Sequence, residues 1–166
     1  TTPEHSFLAR REQLPGGKTG DWQHVSYAQA IDAARSIGQA LLDRGLNAER
    51  PVVVLSENTI EHALLALGCI YAGVPYCPVS PAYATVSQDY DKLRHVIDTL
   101  TPGLVFAADG ARYGKAIAAT VAADVEVILA QGALEGRKAG TFQSLRHITA
   151  TPAVDAAMHP PALAPS

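Results

Sequence analysis

The chain has 166 residues, of which 48% are hydrophobic and 17% charged, and its net charge is −3. This length and composition are those of one globular domain with a full core, and they exclude intrinsic disorder. Because charges of both signs are spread along the chain without a basic patch, they also argue against a nucleic-acid partner.

Neither a membrane span nor a secretory signal is evident. No apolar run approaches the ~20 residues that cross a bilayer, and the opening stretch TTPEHSFLARR lacks the apolar centre of a signal peptide. The two cysteines, Cys69 and Cys77, are expected on a helix and in a buried strand, as reduced structural thiols rather than a disulfide or metal site. These features predict a cytoplasmic protein without membrane association.

The first predicted element is a β-hairpin over residues 5–27, in which HSFLAR and WQHVSY flank the turn-rich insert QLPGGKTGD. The insert contains Gly17-Lys18-Thr19, the end of a phosphate-binding loop motif. However, Glu12 stands where that motif needs its first glycine, and no buried strand precedes it. We therefore interpret the insert as a solvated hairpin tip.

A helix is predicted to follow the hairpin, because Ser26 and Gln29 form a capping box and Gly45 can end the helix in the left-handed conformation. Beyond it, short apolar strands alternate with amphipathic helices. The predicted strands are Pro51–Leu55, Val74–Val79, Leu104–Ala107 and Val125–Leu129. The helices between them are predicted to start at Asn58, with Glu61 completing a capping box, at Ser87 after a loop, and at Asp109-Gly110.

Strands without a polar face are typical of a parallel sheet covered by helices on both sides. Pro75 and Pro78 indicate that the second strand is short or near an edge. The predicted fold is therefore an N-terminal hairpin followed by a parallel, doubly wound, flavodoxin-like α/β sheet with βα units over 51–130. Residues 1–131 form this α/β unit, and 132–166 are expected to be an extended, linker-like segment with one short helix around Phe142 to Arg146.

Ligands of such a sheet bind outside the carboxyl ends of the strands, which here are the loops 56–58, 80–83 and 108–112. None of these loops has the Gly-x-Gly-x-x-Gly pattern of dinucleotide sites, and no serine has the context of a nucleophile elbow. No pair among the six histidines has the spacing of helical metal ligands. The sequence therefore predicts neither a catalytic residue nor a metal site.

Arg112 and Lys115 form the one basic constellation at these loops. They lie three residues apart in the first turn of the helix that starts at Gly110, and therefore share a face. A basic helix start suits phosphate, because free N–H groups and the helix dipole attract anions. The alternative is a solvated basic pair on an exposed helix face, and the residues alone leave both interpretations open.

The stretch from Glu49 to Gly110 resembles the N-terminal part of the acyl-CoA synthetases, the adenylate-forming enzymes. YAGVPYCPVSP is similar to the second core motif of that family and VSYAQA to the first, and the likeness covers roughly residues 5–130. Within the family, SPAY, SQDYDKL and TPGLVFAADG look most like feruloyl-CoA synthases.

This resemblance implies a two-step reaction that uses ATP, Mg²⁺ and coenzyme A. An aromatic carboxylate such as ferulate would be activated to its acyl-adenylate and then transferred to coenzyme A. The family's Ser/Thr/Gly-rich phosphate loop, which ends in Pro-Lys, and its catalytic lysine do not occur in this sequence. We therefore expect the chain to be a piece of such an enzyme, whether by design, proteolysis or a shortened gene. Alone it is expected to be inactive and to bind none of ATP, Mg²⁺ and coenzyme A strongly.

The resemblance also implies a role for the basic helix start. In acetyl-CoA synthetases a Gly-x-Arg-x-Gly-Arg segment contacts the 3′-phosphate of coenzyme A, and Gly110, Arg112, Gly114 and Lys115 match that segment. A missing neighbouring subdomain would leave an exposed apolar face, which favours homodimerisation. The alternative hypothesis is a stand-alone flavodoxin-like binding or interaction module, which predicts a ligand crevice within these residues.

Overall fold

The protein folds as a parallel sheet with helices on both faces and a separate antiparallel hairpin, as seen in a computed structural model that describes residues 2–147, 150–151 and 154–155. The strands are β1 (Ser6–Gln13), β2 (Thr19–Ser26), β3 (Val52–Leu55), β4 (Tyr76–Pro78), β5 (Leu104–Asp109), β6 (Glu126–Gln131) and β7 (Gly140–Thr141). The helices are α1 (Tyr27–Asp43), α2 (Ile60–Ala72), α3 (Ala82–Thr85), α4 (Asp91–Leu100), α5 (Gly110–Thr120) and α6 (Phe142–Arg146). Among the described residues, β1 pairs with β2, and the sheet order is β4-β3-β5-β6-β7.

The parallel sheet is buried on both faces because successive side chains of each strand enter different helical layers. Val52 and Val54 of β3 pack into the core that α1, α2 and α6 cover, whereas Val53 and Leu55 pack into the core under α4 and α5. This arrangement confirms the predicted α/β class, with its hairpin and its helices on both faces. Strand β4 lies at the edge, where the absence of ladder donors at Pro75 and Pro78 costs least.

The predicted boundaries of α1 are confirmed. The Gln29 N–H donates to Ser26 Oγ at 3.2 Å, and Gln29 Oε1 accepts from the Ser26 N–H at 2.9 Å. These reciprocal bonds satisfy two donors that the first turn leaves unpaired. At the other end Gly45 has φ +66°, the left-handed conformation expected there.

Two other helix starts differ from the prediction. Thr59, not Asn58, caps α2, because its Oγ1 accepts from the His62 N–H at 3.1 Å. Ser87 lies in the turn before α4, where its Oγ accepts from the Tyr90 N–H at 3.1 Å, and α4 itself begins at Asp91. The loop predicted before Ser87 also contains the short helix α3. Several Ser, Thr and Asn side chains compete for each cap, and local pattern does not decide between them.

The segment expected to be linker-like differs from the prediction at 140–146. The predicted short helix at Phe142–Arg146 is confirmed as α6, and β7 before it adds a parallel strand to β6. Phe142 and Leu145 are buried, and the Phe142 ring lies 5.7 Å from the Phe106 ring between centroids. Two large apolar side chains suffice to dock this segment although its Gly and Ala content hides the pattern. The linker prediction is also wrong at Thr151, whose N–H donates to Gln39 Oε1 at 3.0 Å, and at the buried Val154. Residues 148–149, 152–153 and 156–166 of the predicted linker lie outside the described residues.

Helices α1 and α2 approach closely at Gly68. A Cβ at this position would lie 2.7 Å from Ile37 Cβ of α1 and 3.3 Å from the Gly38 nitrogen.

The part of the chain that the structure describes contains no helix long and apolar enough to cross a membrane.

Replacing Gly68 by alanine should therefore lower the free energy of unfolding by roughly 1–3 kcal/mol, because the added methyl group overpacks the contact between the helices. Urea denaturation followed by circular dichroism measures this change. Gly114→Ala in α5 is the matched control. Its Cβ would meet only Leu134 Cδ2, at 3.5 Å, so the better helix propensity of alanine should stabilise by about 0.5–1 kcal/mol. Equal effects of the two substitutions would contradict the close approach.

Candidate functional site

A polar cleft of about 430 Å³ opens at the carboxyl ends of β3, β5 and β6, beneath the hairpin. Its walls come from the hairpin, from the β3–α2 loop with the start of α2, and from the ends of β5 and β6 with the first turn of α5. The charged residues that line it are Arg10, Arg11, Glu12, Glu57, Glu61, Asp109 and Arg112. This is the edge at which parallel α/β sheets bind ligands, and two of the three loops predicted from the sequence contribute to it.

Asp109 ends β5 and caps α5. Its Oδ1 accepts from the Ala111 N–H at 2.8 Å and from the Arg112 N–H at 3.4 Å, and its Oδ2 accepts from Gln131 Nε2 at 2.8 Å. The sequence-based argument for phosphate relied partly on free N–H groups at this helix start. Two of those groups, the N–H groups of Ala111 and Arg112, are occupied, so that part of the expectation is wrong for these two residues.

Glu57 joins the two neighbouring strand ends. Its Oε1 lies 2.6 Å from Arg112 Nη1 and accepts from the Tyr113 hydroxyl at 2.9 Å. The Arg112 guanidinium also lies 5.7 Å from the centre of the Tyr113 ring. The Arg112 and Glu57 side chains are 52% and 40% exposed, so the pair is open to solvent and to an incoming ligand.

Tyr113 is buried, and its environment favours the neutral phenol. Burial raises the pKa of the Tyr113 hydroxyl most, and its hydrogen bond to the Glu57 carboxylate raises that pKa further. The phenol therefore remains a hydrogen-bond donor to Glu57 throughout the neutral pH range.

The structure separates the two residues that the sequence singled out. Arg112 lines the cleft and is paired with Glu57, whereas Lys115 is exposed, is not among the lining residues, and has no ion-pair partner in the described residues. Sequence reasoning missed Glu57, Tyr113 and Arg10. Glu57 could have been found, because it follows one buried strand as Asp109 ends another, and charged residues at adjacent strand ends meet.

Two chemistry-bearing side chains near the cleft contact the backbone: the Ser56 hydroxyl donates to the Glu57 carbonyl, and His62 Nδ1 lies 3.1 Å from that carbonyl. A separate cluster joins Arg35 and Tyr71 to Asp155, with the Arg35 guanidinium 3.0 Å from the carboxylate and the Tyr71 hydroxyl donating to it at 2.7 Å. The described residues contain no group of three or more His, Cys, Asp or Glu that could hold a metal ion. Both cysteines are free, as predicted, and burial raises the pKa of the Cys69 thiol to about 12, which makes it inert.

An apolar groove of about 280 Å³ lies on the outer side of α1 and α2, lined by Phe7, Tyr27, Ala30, Ile31, Ala34, Leu67, Ile70 and Tyr71. Ile31 and Ile70 are 54% and 56% exposed, so the groove presents large apolar side chains to solvent. An exposed apolar face of this kind was expected from the resemblance to a multi-subdomain enzyme, and the homodimer stays a prediction.

The fold is an α/β unit with a polar cleft at the carboxyl ends of its strands, and comparison with known proteins gives its family. The family model "AMP-binding enzyme" matches residues 1–163. The chain therefore belongs to the AMP-binding enzyme family.

Individual relatives agree with this assignment. Over 61 residues, 37% of this chain, the protein is 41% identical to Fatty acyl-CoA synthetase A of Dictyostelium discoideum. A benzoate CoA ligase from Burkholderia xenovorans LB400 superposes with a TM-score of 0.62 over 76% of this chain at 20% identity. MatB from Rhodopseudomonas palustris superposes with a TM-score of 0.58 over 87% of the chain, also at 20% identity. At this identity the two structural likenesses show the fold alone.

This chain is short beside those proteins. The match covers 9% of the Dictyostelium relative, 24% of the benzoate CoA ligase and 25% of MatB. The chain thus corresponds to about a quarter of the length of the solved structures.

Tyr113→Phe should lower the free energy of unfolding by about 1–2 kcal/mol at pH 8, because Glu57 loses a donor. The difference should shrink above pH 10. There the unfolded tyrosine, with its ordinary pKa of about 10, releases its proton while the folded phenol keeps it, so the wild type loses stability as pH rises. Urea midpoints at pH 8 and 10.5 measure both effects. Tyr27→Phe is the control, because the Tyr27 ring is 47% exposed, and it should follow the wild type within about 0.5 kcal/mol. A difference in the free energy of unfolding between Tyr113→Phe and the wild type that stays constant with pH would contradict the raised pKa of the Tyr113 hydroxyl.

Proposed function

We propose that this chain is the N-terminal part of an ATP-dependent, AMP-forming acyl-CoA ligase. The observation that carries the proposal is the family match over residues 1–163, together with a polar cleft at the ligand-binding edge of the sheet. The chain alone is expected to be inactive, because the Ser/Thr/Gly-rich loop ending in Pro-Lys and the catalytic lysine are not in its sequence. The two free cysteines suit a reducing, cytoplasmic location.

The reaction proposed for the longer protein has two steps. A carboxylate oxygen of the substrate attacks the α-phosphorus of ATP, and the bond to pyrophosphate breaks to leave an acyl-adenylate. The thiolate of coenzyme A then attacks the acyl carbon, and the bond to AMP breaks to give the thioester.

The residues of this chain fit one part of that chemistry. Arg112, in the open cleft, offers a planar guanidinium to a phosphate, and exposed Lys115 follows one turn later on α5. We assign these two side chains to the 3′-phosphate of coenzyme A. The described residues supply no cluster that fits Mg²⁺, so neither Mg²⁺ nor the phosphates of ATP are assigned to residues of this chain.

For the acyl group we propose an aromatic carboxylate such as ferulate. The support is the resemblance of SPAY, SQDYDKL and TPGLVFAADG to feruloyl-CoA synthases. The Dictyostelium relative acts on fatty acids by its name, so the acyl class needs a direct test.

The decisive experiment expresses the complete reading frame that contains these residues and measures ATP–pyrophosphate exchange with ferulate, benzoate and a fatty acid. Exchange that depends on ferulate, followed by thioester formation with coenzyme A, is the expected result. Exchange that depends only on the fatty acid would overturn the aromatic substrate, and the absence of exchange with every acid would overturn the ligase.

In that longer enzyme, Arg112→Gln and Lys115→Gln should each raise KM for coenzyme A by roughly three- to tenfold, because a charge-assisted phosphate contact is lost. ATP–pyrophosphate exchange should be unchanged. With coenzyme A that lacks the 3′-phosphate, both variants should match the wild type. Lys18→Gln at the exposed hairpin tip controls for a general loss of positive charge, and an equal effect of Lys18→Gln would remove the assignment.

A stand-alone binding module is the second candidate. It is favoured by one observation, namely that the described residues of this chain line a cleft of about 430 Å³. Tight binding of a small molecule by the 166-residue chain, with no ligase activity from the complete reading frame, would favour this alternative.

A further inference from the structure

The charged side chains that line the cleft differ in how many hydrogen-bond or ion-pair partners they have. Asp109 accepts hydrogen bonds from the start of α5 and from Gln131. Arg11 has its contacts within the hairpin, where its guanidinium lies 5.3 Å from the Trp22 ring centre and donates to Thr19 Oγ1. The Arg10 side chain, by contrast, is half-buried, lines the cleft from β1, and makes no hydrogen bond or ion pair with any described residue.

Arg112 is engaged but can be released. Its partner Glu57 holds it through one carboxylate oxygen, Oε1, which also accepts the Tyr113 hydroxyl bond. If Arg112 turned to another anion, Glu57 would still be satisfied by Tyr113. Release of Arg112 therefore leaves no buried acceptor unpaired, and the pair itself is half-exposed, so breaking it costs little.

We infer that Glu57 is an internal competitor for Arg112, which sets the affinity of the cleft for a phosphate-bearing ligand, and that Arg10 is a further cation that receives the phosphate from the hairpin side of the cleft. This inference rests on the proposed function for the identity of the ligand as a nucleotide phosphomonoester. A phosphate dianion can displace the monoanionic carboxylate from Arg112, because it carries more charge and can bond bidentately to the guanidinium. The cleft would therefore discriminate between ligands by their charge, since a weakly charged ligand cannot displace Glu57 from Arg112.

Binding of adenosine 3′,5′-bisphosphate, the nucleotide end of coenzyme A, to the 166-residue chain tests the inference by isothermal titration calorimetry. Glu57→Gln should tighten binding roughly fivefold, because it frees Arg112 while its amide oxygen still accepts from Tyr113. Arg10→Gln should weaken binding by roughly three- to tenfold. Glu57→Asp, whose shorter side chain cannot reach both partners, is a second variant in case the amide perturbs the fold.

The matched control is Glu61→Gln, which removes the same charge from the same cleft without touching Arg112. It should tighten binding by no more than about twofold, because the effect is unspecific and screened. The specific result is a coupling: Glu57→Gln should give no gain when Arg112 is already glutamine. A fivefold gain that persists in the Arg112→Gln background, or an equal gain from Glu61→Gln, would overturn the inference.

The ligase proposal can fail separately. If the calorimetric coupling is found but the complete reading frame shows no ATP–pyrophosphate exchange, the cleft inference stands and the ligase assignment falls. If exchange is present but adenosine 3′,5′-bisphosphate binds the Glu57→Gln chain no more tightly than the wild type, the inference falls alone. Equal affinity for inorganic phosphate and the bisphosphate would mean an adventitious anion site and would also overturn it.

Discussion

The pairing of β3 with β5 is the constraint on which the candidate site depends. Val52 to Leu55 lie in parallel register with Leu104 to Ala107, although a whole helix–strand–helix crossover separates them in the chain. Because the strands run the same way, Glu57 and Asp109, each two residues past a register pair, emerge at the same edge of the sheet. The Arg112–Glu57 ion pair and the Tyr113–Glu57 hydrogen bond are consequences of this register.

This pairing also explains what the sequence could predict. Val52–Leu55 is apolar at every position, and a strand without a polar face must be buried on both sides, so the parallel sheet follows from local pattern. The prolines at 75 and 78 correctly indicated a short strand near an edge. Likewise, the Ser26–Gln29 capping box and Gly45 defined α1, because their partners lie within four residues.

What depends on long-range contacts could not be predicted in the same way. The order β4-β3-β5 brings β3 next to β5 although β4 lies between them in the sequence, so the contact of Glu57 with Arg112 depends on this long-range pairing. Asp109 illustrates the same limit, since as a helix cap it occupies two of the N–H groups that a basic helix start would offer to phosphate. Gly140–Arg146 docks through only two large side chains, Phe142 and Leu145, which is too few for a periodic signal.

The hairpin forms one wall of the cleft. Leu8 and Val25 pack against the α1–α2 core, and the Tyr27 N–H donates to the His5 carbonyl at 3.0 Å. Alternation along β1 gives the Arg10 side chain the same side as Leu8, whereas the Arg11 guanidinium lies over the Trp22 ring, although both arginines line the cleft. A shift of one residue in the register of β1 would exchange these two arginines. The packing of Leu8 therefore helps to place Arg10 in the wall of the cleft that Arg112 also lines, which links the apolar packing of the hairpin to the charge of the cleft.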